Sequence, residues 1–146
     1  MTYKEFLESK IELATESGFV VDPEKVNKVL KPHQRDAVVW ALKGGRRALF
    51  ESFGLGKTVQ EIEFCHLASE HSCGRALIVL PLGVKQEFTH DAVEVLGYEK
   101  PEYCRTMEEV EQSTSQIVLT NYERVRDGDI RPDYFTTTSL DEASVL

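Results

Sequence analysis

Residues 47–71 read RALFESFGLGKTVQEIEFCHLASEH, and the order of residue types predicts a strand, then a loop, then a helix. Glycines at Gly54 and Gly56 let such a loop curl so that consecutive backbone N–H groups point inward. Together with the partial positive charge of the following helix N-terminus, those groups cradle phosphate oxygens. Lys57 then reaches the outer phosphates, and Thr58 sets a hydroxyl where it can ligate magnesium. The plainer reading of Gly54-Leu55-Gly56-Lys57-Thr58 is a glycine-rich turn that happens to precede a lysine; the strand before it and the helix after it weigh against that. One departure is informative. The general pattern G-x-x-x-x-G-K-[ST] has glycine where Glu51 stands, and a small-molecule kinase or a GTPase is expected to keep it.

Outward from this segment the chain alternates between strand-like and helix-like patterns. RALIVLPL (75–82) and QIVLTNY (116–122) are nearly continuous apolar runs of strand length, the signature of parallel strands buried on both faces. Between them Val84, Phe88, Ala92 and Val95 share one helical face, and Thr106 with Glu109 has the spacing of a capping box. Upstream, LKPHQRDAVVWALKGG (30–45) predicts a helix that starts at Pro32, buries Val38, Val39 and Leu42, and ends at Gly44-Gly45. DPEKVNKVL (22–30) predicts a shorter helix capped by Asp22 with Pro23 at its first position, and residues 3–17 a further helix ending before Gly18. Strands alternating with helices imply an α/β fold around a parallel sheet.

Composition fits that reading. The 146 residues, 41% hydrophobic and 29% charged, are enough for one domain with a core of its own. No apolar run approaches the ~20 residues needed to cross a bilayer, so a cytoplasmic protein without membrane contact is expected. A net charge of −8 argues against coating nucleic acid through bulk positive potential, although a local basic track remains open. Cys65, Cys73 and Cys104 are odd in number and lack a C-x-x-C pair, and Cys65, His66, His71 and Cys73 match no zinc spacing.

Five motifs in order carry a resemblance to the Swi/Snf-like branch of superfamily-two helicase-type ATPases. ESFGLGKT (51–58) is similar to that branch's D-E-x-G-L-G-K-T, which also has an acidic residue in place of the first glycine. LKPHQRDAVVWAL (30–42) looks like L-R-x-Y-Q-x-x-G-V-x-W-L, whose glutamine contacts adenine; here that residue is Gln34, and an amide that both donates and accepts suits a base edge. ALIVLPLGVKQEF (76–88) and IVLTNYERV (117–125) resemble two segments that meet the nucleic-acid strand. They make Thr120 a candidate phosphate contact, with Lys85, Arg124 and Arg126 as basic support. SLDEASVL (139–146) sets Asp141 and Glu142 where the family has its D-E-A-H or D-E-A-D box. The resemblance gives Asp141 the magnesium shell and Glu142 the attacking water, while Ser144 replaces the usual His or Asp.

The resemblance covers residues 30–146 and implies part of a RecA-like, phosphate-loop lobe, preceded by a helical extension over residues 1–29. It implies ATP and Mg²⁺ as ligands, double-stranded DNA as partner, and a second RecA-like lobe that closes the cleft with an arginine finger and is missing from this chain. It also implies that the strand following the acidic box inserts between the phosphate-loop strand and the acidic-box strand. On that basis the isolated chain is expected to be inactive or nearly so. Two other readings are weighed: a non-catalytic nucleotide-binding fragment or remnant serving as an interaction module, and a small-molecule kinase, which would leave Gln34 and LPLGVKQEF unexplained.

Overall fold

In chain order the secondary structure is α1 (Pro32–Gly44), α2 (Lys57–Ser72), β1 (Ala76–Val79), α3 (Lys85–His90), β2 (Glu102–Tyr103), α4 (Met107–Gln112), β3 (Ile117–Thr120), α5 (Tyr122–Arg126) and β4 (Thr137–Leu140). The computed structural model describes residues 18–44 and 57–141. The helix expected over residues 3–17 and the strand expected before the phosphate loop lie outside the described residues.

The two apolar runs become the central strands because every side chain in them is buried. The described sheet has four strands, all parallel, in the order β2-β3-β1-β4. Alternation then assigns each residue to one of two layers. Ala76, Ile78, Leu80, Ile117 and Leu119 join Val38, Leu42, Ile62, Cys65 and Phe88 on the face covered by α1, α2 and α3. Leu77, Val79 and Val118 join Val110, Val125, Ile130 and Phe135 on the other. Each buried side chain of this size contributes about 1.5–3 kcal/mol, so a sheet covered on both faces is the main source of stability.

Polar FTTTSL (135–140) is explained by position. Among the described residues β4 is an outer strand, with Thr137 and Thr138 half-exposed and only Ser139 fully covered. The Thr106 half of the expected capping box forms, its side chain accepting from the Glu109 N–H, while the Glu109 carboxylate accepts from the N–H of Arg105, one residue before the cap. Helix α2 ends in a Schellman motif, with Gly74 N–H donating to Ser69 O. Cys73 takes the left-handed position at φ 55°. Gly74 is there for close packing, because a Cβ on it would lie 2.3 Å from Thr136 Cγ2.

The helix expected over 22–30 is corrected to one short 3-10 turn, Pro23–Lys25. Asp22 caps it as expected by accepting from the Glu24 N–H. Val26 then turns extended, and Asn27 organises a tight turn: its side-chain oxygen accepts from Val29 N–H and its carbonyl from Leu30 N–H. These local bonds offer the backbone an alternative to helix. Val21, Val26 and Leu30 belong to the same hydrophobic cluster as α1 and α2, so a boundary between residues 29 and 30 falls inside one core.

Candidate functional site

In a parallel sheet every strand delivers its last residue to the same edge, which is where α/β proteins gather ligand-binding groups. Asp141 directly follows β4 at that edge, its N–H donating to Val79 O. Lys57 opens α2, which packs across β1 and β4. The Lys57 ammonium donates to the Asp141 carboxylate, uniting residues 84 positions apart. The Asp141 side chain is buried at 5% exposure and that of Lys57 is partly buried at 15%. An ion pair with this much cover needs good geometry to offset its desolvation. One helical turn further into the molecule, Ser139 Oγ donates to Glu61 Oε1 at 2.6 Å, so α2 is tied to β4 twice.

Thr58, next to Lys57, is half-buried, and its hydroxyl lies 3.5 Å from Glu87 Oε1 of α3. Burial, followed by the negative charge of Glu87, raises the Asp91 carboxyl pKa above its ordinary value. Gln34, in the first turn of α1, is buried at 7% exposure, and its Oε1 accepts from Lys31 N–H at 2.8 Å. That bond leaves one lone pair of Oε1 and the amide nitrogen for another partner. Gly54, Leu55, Gly56 and Glu142 lie outside the described residues.

The residues expected to meet nucleic acid are distributed differently. Thr120 is fully buried, and its hydroxyl donates to Cys104 O at 2.9 Å, so it has no exposed surface to offer a phosphate. Its expected role is corrected by that burial. Lys85 is half-buried with its ammonium 4.8 Å from the centre of the Tyr103 ring, whose hydroxyl donates to Asn121 Oδ1 at 2.6 Å. Arg124 is held by Asp129 at 3.2 Å and Arg126 by Asp127 at 3.0 Å, so both arginines already face carboxylates. Tyr103 has no signal in the sequence, because the two-residue strand that carries it leaves no periodic pattern.

The four residues weighed as metal ligands have separate surroundings. Cys65 is fully buried in the core, His66 stacks on Tyr98 with ring centres 3.9 Å apart, His71 stacks on Phe19, and Cys73 is exposed. Burial, then the nearby Glu61 charge, raises the Cys65 thiol pKa well above its ordinary value. Burial and Glu102 push Cys104 up to about 11. Thiolate is the reactive form, so both should be inert near neutral pH. A chromogenic disulfide reagent should therefore label Cys73 alone in the native protein, and all three cysteines in denaturant; prompt native labelling of Cys65 would contradict this burial.

The described part of the chain is thus an α/β domain with an all-parallel sheet and a partly buried lysine–carboxylate pair at the carboxyl edge of its strands. No protein-family model matches this chain, and none of the curated proteins does. Among the described residues no helix is long and apolar enough to cross a membrane.

Proposed function

We propose that the chain is the ATP-binding part of a nucleic-acid-dependent ATPase, a helicase-type DNA translocase of the Swi/Snf-like branch, and that residues 30–146 form part of its first RecA-like lobe. The observation that carries the reading is the contact between Lys57 and Asp141. Two motifs far apart in sequence meet at the carboxyl edge of a parallel sheet, the place where α/β proteins gather ligand-binding groups.

The donor set fits a magnesium nucleotide. Lys57 offers an ammonium to anionic phosphate oxygens, and Thr58 and Asp141 offer a hydroxyl and a carboxylate, oxygen ligands of the kind magnesium takes. Mg·ATP, when bound, supplies the transferable phosphoryl group and the divalent charge that neutralises it. Lys57 and Asp141 neutralise each other without it, so binding exchanges one ion pair for two charge-matched contacts. Gln34 holds the base through its free amide hydrogens and remaining lone pair, and Glu142 orients and deprotonates the attacking water. The catalytic set is Lys57, Asp141 and Glu142. Duplex DNA is met through Lys85, with Arg124 and Arg126 further along the same edge, and a second lobe closes the cleft.

Base selectivity tests this reading. Unlabelled ATP should displace a fluorescent ATP analogue from the wild-type chain better than GTP does, and Gln34→Ala should narrow the difference, because losing one hydrogen-bond partner costs about 1–3 kcal/mol. An unchanged preference in Gln34→Ala would mean that the segment around α1 does not read a base. A non-catalytic nucleotide-binding remnant would show the same displacement without turnover, whereas an interaction module that binds no nucleotide would show neither displacement nor preference.

A further inference from the structure

Helix α2 carries a second buried carboxylate that the proposed chemistry does not use. Glu63 is fully buried, yet no lysine or arginine forms an ion pair with it among the described residues. Its oxygens are occupied by neutral donors. Oε2 accepts from Asn27 N–H at 2.8 Å, and Oε1 accepts from the Tyr98 hydroxyl. Burial, then the bond to Glu63, raises the Tyr98 hydroxyl pKa above its ordinary value, so it stays a donor.

These bonds converge on the turn that leads into α1. All four polar groups of Asn27 are engaged: its N–H with Glu63, its Nδ2 with Leu96 O at 2.9 Å, its Oδ1 with Val29 N–H, and its carbonyl with Leu30 N–H. Lys31 follows at once, and its N–H holds the Gln34 side-chain oxygen. A continuous chain of bonds therefore runs from the middle of α2, through the 27–30 turn, to the amide of Gln34. The same helix begins with Lys57 and Thr58.

From this we infer that Glu63 is a positioning residue that fixes the Gln34 amide relative to Lys57, setting base recognition in register with the phosphate-binding end of α2. The inference rests on the proposed reading of Gln34 as the base contact. A buried carboxylate is costly to desolvate unless its donors are well placed, and here the donors are a backbone N–H and a hydroxyl on segments remote in sequence. Aligning two subsites of one ligand is a task that such rigidity performs, because misplacement weakens the contact to one part of the ligand while sparing the other.

The test compares Mg·ATP with Mg·tripolyphosphate, which has the phosphates but no base, by isothermal titration of the full chain. The wild type should bind ATP at least about tenfold more tightly, the difference expected from a hydrogen-bonded base. Glu63→Met, similar in size but without acceptors, should bring ATP to within about threefold of tripolyphosphate while leaving tripolyphosphate affinity unchanged. Glu63→Gln should restore the preference, because its oxygen can take the Asn27 N–H while the Tyr98 hydroxyl turns to accept from its amide. Tyr98→Phe, at a half-buried position, removes one of the two donors to Glu63 and is the milder break should Glu63→Met fail to fold, and it should shift the ratio in the same direction. Parallel loss of both affinities, or an unchanged ratio in folded Glu63→Met or Tyr98→Phe, would overturn the inference. A wild-type preference that Gln34→Ala abolishes and Glu63→Met preserves would overturn it alone; a wild type without preference would overturn the reading of Gln34 with it.

Discussion

Asp141→Leu should destabilise the nucleotide-free chain by about 3 kcal/mol in urea unfolding, whereas the double variant Lys57→Met/Asp141→Leu should recover most of that loss. With Lys57 and Asp141 at 15% and 5% exposure, removing the carboxylate leaves an ammonium with no ion-pair partner among the described residues in a largely dry setting. The expected cost is at the low end of the usual 3–5 kcal/mol for a broken buried pair, because a lysine stem can swing its charge toward water. Removing both charges removes the desolvation problem itself. The double-mutant cycle should therefore show strong coupling. Additive single effects would mean that the two side chains do not share one environment, and the meeting of the two motifs would lose its meaning.

Steady-state phosphate release by the 146-residue polypeptide should be slow and indifferent to duplex DNA, although it contains Lys57, Thr58, Asp141 and Glu142. An arginine finger contributes about 10³ to 10⁵ in rate in phosphoryl-transfer systems of this kind, and the resemblance assigns it to a second lobe, not to any motif in residues 30–146. Lys57 and Asp141 also hold each other in the nucleotide-free chain. Full activity should require the second lobe. Rapid, DNA-stimulated hydrolysis by this polypeptide, abolished by Glu142→Gln, would contradict that division of labour.

The parts of the fold legible in the sequence were those with a local cause. ALIV and IVLT have the length and continuity of strands covered on both faces, and Pro32 and Gly44 mark the ends of α1 within the chain itself. Thr106 caps α4 at the Glu109 N–H because both residues lie within one turn. What escaped the sequence depends on contacts between remote segments. Strand β2 is two residues long and exists because Glu102 and Tyr103 lie alongside Val118 and Leu119. The 22–30 helix gave way to a turn that Asn27 forms with Val29 and Leu30, and bonds from Asn27 to Glu63 and Leu96, positions that no local pattern connects to it, hold that turn in place. Thr120 reads as a strand-end hydroxyl facing outward, yet the carbonyl of Cys104 on the neighbouring segment captures it. Within the candidate site, the motifs supplied Lys57 and Asp141 separately, and only the sheet order made them partners.

The central claim is that Lys57 and Asp141 form the phosphate and magnesium end of an ATP site. Isothermal titration of Mg·ATP into the wild-type chain and into Lys57→Ala tests it most directly. The wild type should bind in the micromolar to millimolar range, as expected for half of a cleft, and Lys57→Ala should show no saturable heat at the same concentrations. Indistinguishable titrations of the two proteins would contradict the assignment.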